Sequence, residues 1–493
     1  MCRNHRGFDR RQPDLKSLDF REHFIQTESG GAERFRAAIR ETTDRLAEIF
    51  ESADAPYSGL PIGELDRALA AEFESSEQIS LSATMETVAR NSILTQHPNC
   101  AAHLHTPPMI SAIAAEVVIA ALNQSMDSWD QASAATLVET QMVAWFAEKI
   151  AFGQGADGVF TGGGTESNYL GLLLARGLVC ERNWGCDIFK EGLPNEARNL
   201  RVLTSENAHF TVAKSMARLG LGTKSVIAVD CDAEGRMKPG ALQQLLEKVE
   251  PMAVVATAGT TDLGAIDPLT EIAEICEQQK VWLHVDAAYG GGLLLTDQRK
   301  QLRGIERADS IALDFHKLFF QPISCGLFLL RDGENFRFIE QHADYLNREA
   351  DPRPNLVDKS VVTSRRFDAL KIWMTLKNVG PDQLGAMIER VLQLAKYAAE
   401  LVKRSPKLEL LADPSLTTIL FRFAGSDELN CEVHEQLLAS GRAVIGRTSF
   451  NGQVALKLTL LNPSLTEAQI ENLIELIESE GNRLETASKS ATA

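Results

Sequence analysis

The chain has 493 residues, 44% hydrophobic and 24% charged, with a formal net charge of −17. That length exceeds a single ordinary core and points to two or three domains, while the acidic balance disfavours nucleic acid and anionic membranes, which call for clustered Lys and Arg. Cysteines at 2, 100, 180, 186, 231, 276, 325 and 431 form no CxxC pair, so neither a zinc site nor a disulfide framework is indicated and the reducing cytosol fits.

The opening MCRNHRGFDRRQPDLKSLDF is basic but lacks a signal-peptide core, and no later stretch offers about eighteen uninterrupted apolar residues. Neither export by this signal nor a membrane span is expected. A loose start to about Phe20 precedes helical patterning over Gly31–Phe50 and Pro61–Phe73. Residues 1–95 read as a helical arm packed on another subunit, or as a cap on the same chain. His97, His103 and His105 follow without an HExxH helix or a Cys/His group, so no metal is expected. One apolar helix is predicted from SAIAAEVV to AEKIAF. The chain then alternates, with strands at 158–161, 201–205, 225–229, 253–258, 281–286 and 310–313 between helices at 166–182, 209–219, 241–249 and 269–279. This pattern predicts an α/β domain over 96–375, a mostly parallel sheet with helices on both faces. The polar, proline-bearing stretch 336–366 reads as a mobile lid. A helix at 381–403 and strands near 417–423 and 454–460 make 376–493 a compact C-terminal α+β domain.

Ligands of such sheets sit beyond the carboxyl ends of the strands. At the first end, VFTGGGTES leads through Gly163 and Gly164 into a helix at Thr165, where bare amides suit one phosphate. Alone, it is also what an ordinary glycine turn looks like. At the second, His209 enters a helix, as a capping histidine would. The third breaks into Thr260, Thr261 and then Asp267. The fourth, VWLHVDAAYGGG, buries Asp286 with no Lys or Arg beside it, and a buried carboxylate is costly without a cationic partner, so a ligand can be that partner. In LDFHKLFFQP, Lys317 lies among Leu313, Phe315, Leu318, Phe319 and Phe320, where desolvation would favour the neutral amine that forms a Schiff base. A lysine snorkelling to water is the alternative. Pyridoxal 5′-phosphate needs an amine, a carboxylate at its ring nitrogen, an amide-lined phosphate cup and contacts on both ring faces. Lys317, Asp286, the Gly163–Thr165 turn, and His209 with Ala288 are candidates for each.

The ordered motifs HP, TGGGTES, AH before a helix, HVDAAYGG, HK and RRFDALKIW resemble group II pyridoxal-phosphate-dependent amino acid decarboxylases, over about His97 to the end. The resemblance implies fold type I of the PLP-dependent transferases, a homodimer, and conversion of an L-amino acid to its amine and CO2. It implies Lys317 as the covalent anchor, Asp286 at the ring nitrogen, His209 on one ring face, Thr261 near the phenolic oxygen, Asp267 positioning the lysine and His316 at the phosphate. Anchoring of the α-carboxylate then selects the bond that breaks. A same-fold aminotransferase or cysteine desulfurase would share Lys317 and Asp286, but HK and RRFDALKIW favour a decarboxylase. Aromatic decarboxylases carry a lid tyrosine, whereas Tyr345 precedes the loop proper here. Lys457 stands where animal-type glutamate decarboxylases place an arginine for the distal carboxylate, and the two are not equivalent. HLHTPP, NQSMDSWDQ and DFHKLFFQPISC look most like bacterial L-2,4-diaminobutyrate decarboxylases, which implies a product, 1,3-diaminopropane, used in polyamine or siderophore synthesis. Glutamate or aspartate, and lysine or ornithine, are the alternatives. Asp127, Asp130 or Asp358 is the expected acceptor for a cationic side chain.

Overall fold

A computed structural model describes residues 20–491 apart from 28, 29, 76, 344–346 and 348–351, so the expected loose start and Tyr345 lie outside the described residues. The chain forms two compact units, one running to Asp54 with Leu60–Ser92, the other Ala55–Gly59 with Ile93–Ala493. The first unit holds helices α1 (Gly31–Glu51), α2 (Ile62–Glu74) and α3 (Leu81–Arg90). The third is a helix that the sequence pattern did not announce. Ser80 caps it by accepting the Ala83 N–H at 3.2 Å, and Leu81, Met85 and Val88 give a helical spacing diluted by polar neighbours.

Among its described residues the second unit carries twelve strands: β1 (Cys100–Ala101), β2 (Asp157–Thr161), β3 (Leu200–Ser205), β4 (Val226–Val229), β5 (Glu250–Thr257), β6 (Trp282–Asp286), β7 (Ser310–Asp314), β8 (Gly326–Leu330), β9 (Leu408–Ala412), β10 (Thr418–Phe423), β11 (Val444–Phe450) and β12 (Gln453–Thr459). The large sheet has the order β2-β8-β7-β6-β5-β3-β4, and only β8 runs against the rest. Alternate residues of each strand enter separate cores. Val202, Ala253, Val255, Phe328 and Leu330 pack on one face with Leu170, Leu172 and Val179. Leu203, Val254, Ala256, Leu327 and Leu329 pack on the other with Phe146, Ile272 and Phe319. Burial on both faces is why these strands read as continuous apolar runs.

The expected single apolar helix is two, Ile110–Leu122 and Trp129–Ile150. Asn123 breaks it by taking the left-handed conformation at φ 47°, which asparagine tolerates better than most side chains. The small sheet is β1-β11-β12-β10-β9. Its strand β1 comes from the predicted start of the large domain and pairs in parallel with β11. At the sheets' meeting point, Tyr289 Oη accepts the Thr417 N–H at 2.9 Å.

The segment RRFDALKIW frames the site and does not line it. Arg365 Nη1 donates to Glu139 Oε1 at 2.9 Å and to the Phe160 carbonyl at 3.0 Å, while the buried Lys371 Nζ meets Glu116 and Asp368 at 2.8 Å and donates to the Ser324 carbonyl at 2.8 Å. Glu139 is fully buried. Arg365→Met strands its carboxylate, and we expect a loss of ~3–5 kcal/mol, read from denaturant midpoints. Adding Glu139→Gln should recover part of that loss.

Candidate active site

All four strand ends singled out by their sequence open on one cavity of about 840 Å³, although Asp267 of the third does not line it. Gly162–Gly164 follow β2, His209 follows β3, Thr257 ends β5, Asp286 ends β6 and Asp314 ends β7; Thr165, Thr261, Ala288, His316 and Lys317 also line it. The helix Gly164–Trp184 points its first turn at the cavity, and first-turn amides have no partner within a helix. Gly163 sits at φ 138°, where a Cβ would come within 3.1 Å of His316 Cε1, and a Cβ on Gly164 would stand 3.2 Å from Ala288 Cβ and Asp314 Oδ2. The cup is open because these positions have no side chains.

Asp286 is 7% exposed. Its Oδ2 accepts from Asn168 Nδ2 at 2.7 Å and its Oδ1 from the Ala288 N–H at 3.1 Å, both neutral donors, so each oxygen keeps a lone pair for a ligand. Asn168 went unread in the sequence; it lies one turn beyond Gly164, on the same helix face. Behind it runs a chain whose direction the donors fix. Trp282 Nε1 can only donate, to Ser310 Oγ at 2.9 Å. Ser310 therefore gives its proton to His284 Nδ1 at 2.8 Å, and His284 Nε2 donates to Asn168 Oδ1 at 2.9 Å. Burial pushes the His284 pKa down to about 4, in keeping with a neutral ring. Asn168 Nδ2 also donates to Thr211 Oγ1 at 3.0 Å, and the same hydroxyl pairs with His209 Nδ1, 3.0 Å away. Burial lowers the His209 pKa.

Lys317 departs from the expected apolar setting. Leu313, Phe315, Leu318, Phe319 and Phe320 all turn into the core, whereas Lys317 keeps 20% of its side chain exposed and Nζ lies 3.0 Å from Asp314 Oδ2. The flanking side chains point away from the amine. Asp314 was missed too, although it ends an apolar strand by the same logic as Asp286. Asp267, expected to position the lysine, does not line the cavity. Its carboxylate accepts the Met237 and Thr257 N–H groups at 2.7 Å each, and burial raises its pKa to about 6. It fixes the end of β5 instead. Asp127, Asp130 and Asp358 are also absent from the lining, which has Glu166, Asp286 and Asp314 as its acids. Val361 and Val362 of the predicted lid do reach it. Two buried oxygens among the lining residues, Thr257 Oγ1 and Asp314 Oδ1, have no hydrogen-bond partner. An amine, a carboxylate with spare lone pairs, an amide-lined glycine cup and unmet polar atoms fit pyridoxal 5′-phosphate.

Residues 63–424 match the pyridoxal-dependent decarboxylase conserved domain, and the chain belongs to this family of carboxy-lyases, which use pyridoxal 5′-phosphate to decarboxylate amino acids. It is similar to L-2,4-diaminobutyrate decarboxylases of Rhizobium meliloti (strain 1021), 42% identical over 97% of both chains, and Acinetobacter baumannii, 40% identical over 95% of this chain and 98% of that one. The structure resembles the glutamate decarboxylase domain of diaminobutyrate-pyruvate transaminase and L-2,4-diaminobutyrate decarboxylase from Vibrio parahaemolyticus, with a TM-score of 0.87 and 43% identity, covering 94% of this chain and 98% of that one.

Asn168→Ala removes a hydrogen bond to the charged Asp286, worth ~1.5–3 kcal/mol, and cofactor affinity measured by equilibrium dialysis should fall accordingly. His284→Gln, which can donate to Asn168 and accept from Ser310, should retain affinity, while His284→Leu should lose it.

Proposed function

We propose that the enzyme converts L-2,4-diaminobutyrate to 1,3-diaminopropane and CO2. The observation that carries the substrate reading is the state of Lys457, the residue at the position of a distal-carboxylate arginine. Its Nζ lies 2.6 Å from Asp262 Oδ1 with its side chain 8% exposed, and Thr448 Oγ1 donates to Asp262 Oδ2 at 2.9 Å. The charge an acidic side chain would need is already neutralised. Asp262 follows Thr261, lines a second hollow that shares His209, Thr260 and Thr261 with the main cavity, and keeps lone pairs on both oxygens. It is the acceptor we assign to a distal ammonium, in place of Asp127, Asp130 or Asp358. The near full-length similarity to two diaminobutyrate decarboxylases supports the same reading.

The cofactor, when bound, supplies an aldehyde for an amine and an electron sink for the pair released at Cα. Lys317 is the residue assigned to hold it covalently. Gly163, Gly164, Thr165 and His316 are assigned to its phosphate, His209 and Ala288 to its ring faces, and Thr261 to its phenolic edge. Asp286, oriented by Asn168 and Ala288, holds a proton on the ring nitrogen.

Residues 1–95 are assigned as a helical arm packing on a second copy, consistent with Ile62 and Phe73 being 88% and 92% exposed. A large domain of 96–375, a small domain of 376–493 and fold type I complete the proposed organisation. Residence in the cytosol is supported by the seven described cysteines, all free.

Borohydride reduction of the yellow protein should fix the cofactor on Lys317; peptide mapping to another lysine would refute the assignment. Asp286→Asn should slow turnover by well over tenfold, more than ~1.4 kcal/mol of barrier. In a panel of diaminobutyrate, ornithine, lysine, glutamate, aspartate and tyrosine, scored by CO2 and amine, diaminobutyrate should lead. A clear preference for glutamate, aspartate or tyrosine overturns the substrate while leaving the chemistry. Asp262→Asn removes the assigned acceptor and frees Lys457. We expect kcat/KM for diaminobutyrate to drop by roughly 10- to 150-fold, the equivalent of a charge-assisted hydrogen bond, with glutamate gaining relative to it.

A further inference from the structure

Asp314 ends β7 almost fully buried, at 3% exposure. One oxygen, Oδ2, meets Lys317 Nζ at 3.0 Å and His316 Nε2 at 3.6 Å. The other, Oδ1, has no hydrogen-bond partner, and a buried carboxylate oxygen left unmet is expensive enough to mark a place where something binds. Its direction is recorded by the glycine cup, since a Cβ on Gly163 would lie 3.5 Å from Oδ1. The acid therefore borders the space assigned to the cofactor phosphate, and its role as inferred here rests on that assignment.

A phosphate ester carries a charge of about −1.5 to −2 at neutral pH, with its second ionisation near 6. Two anions in contact in a buried site cannot both stay fully ionised. Few charges nearby could relieve them. Lys317 becomes the covalent anchor. Glu166, also lining the cup, is a further acid whose Oε2 accepts the Gly162 N–H at 2.7 Å. His316 Nδ1 is engaged with the Cys325 carbonyl at 2.9 Å, leaving Nε2 toward Asp314. Asp286 belongs to the ring nitrogen, burial lowers the pKa of His209, and Arg218 stands exposed on α-helix Thr211–Arg218 at the cavity wall.

We propose that Asp314 and the cofactor phosphate share one proton, with Asp314 Oδ1 as its seat on the protein. The proton comes from solvent as the cofactor binds. One O–H bond to water's proton pool breaks and one O–H bond forms between the two acids, with no redox change. Cofactor binding is then linked to proton uptake, and the unmet oxygen acquires its partner.

The test is calorimetric titration of the cofactor-free full-length protein with pyridoxal 5′-phosphate at pH 8, in buffers of different ionisation heat. Because Asp314 also holds Lys317 Nζ, the count is made without the lysine: Lys317→Ala should take up about one proton more than Lys317→Ala with Asp314→Asn. Above pH 7 the affinity of Lys317→Ala should fall by up to about tenfold per pH unit, and with Asp314→Asn added the slope should flatten. Equal counts in the two proteins, or a count abolished by His316→Asn but kept in Asp314→Asn, overturn the proposal. Should the double variant bind too weakly to titrate, a Lys317→Ala count of zero overturns the proposal. Gly164→Val fills the cup; if it leaves affinity unchanged, the phosphate assignment itself fails and takes this inference with it, whereas tight cup-dependent binding without proton uptake sinks this inference alone.

Discussion

Three adjacent strands of the large sheet stop side by side in polar residues that its interior has no room for. Thr257 ends β5 in register with Asp286 at the end of β6, and Asp314 ends β7 next to them. Within the sheet most side chains enter one of two apolar cores, with the neutral His284 and Ser310 of the relay as hydrogen-bonded exceptions. A carboxylate is tolerable only where the strand gives out, and only if donors reach it. The helix Gly164–Trp184 brings Asn168 to Asp286, and the turn after β7 brings Lys317 to Asp314. The site is thus the set of buried acids the sheet could not exclude, together with the groups that make them bearable.

That helix can lie close enough because of one residue. A Cβ on Gly171 would fall 2.5 Å from His284 Nδ1, so a side chain there would displace either the helix or the imidazole. With glycine, the relay from Trp282 through Ser310 and His284 to Asn168 runs in one direction, and every donor along it is spoken for. The result is a carboxylate held by two neutral donors, one of which, Asn168, is itself anchored by the relay.

What was legible in the sequence came from periodicity and punctuation. The helix Leu269–Gln279 was placed to the residue and the parallel strands to within a few, because apolar runs bounded by glycine, proline and polar turns carry both kinds of signal. The strand β8 was missed, since a five-residue apolar run with no helix behind it looks the same in any buried element. Lys317 and Asp286 were found as single residues of the wrong polarity in apolar text. Asn168 and Asp314 could not be paired with them from spacing alone, because the contacts span 118 residues in one case and depend on which way a turn folds in the other. Asp267 misled for a related reason. An acid after a strand can serve a ligand or clamp backbone amides, and only coordinates tell which.

Chemistry and specificity are built on different parts of the chain. The groups assigned to the cofactor stand at the large sheet's edge or on the segments leaving it, whereas Lys457 and Thr448 belong to β12 and β11 of the small sheet and grip Asp262 from there. An acidic side chain approaching Lys457 would bring a second carboxylate to an ammonium that Asp262 already holds, and the repulsion between the two acids offsets what the shared cation offers. An ammonium meets the reverse situation, since it adds to an acceptor with lone pairs to spare. The same three residues would admit anions if Asp262 were neutral, with no change at Lys317, Asp286 or the relay behind it. Charge selection, as assigned to this pair, is therefore separable from bond cleavage.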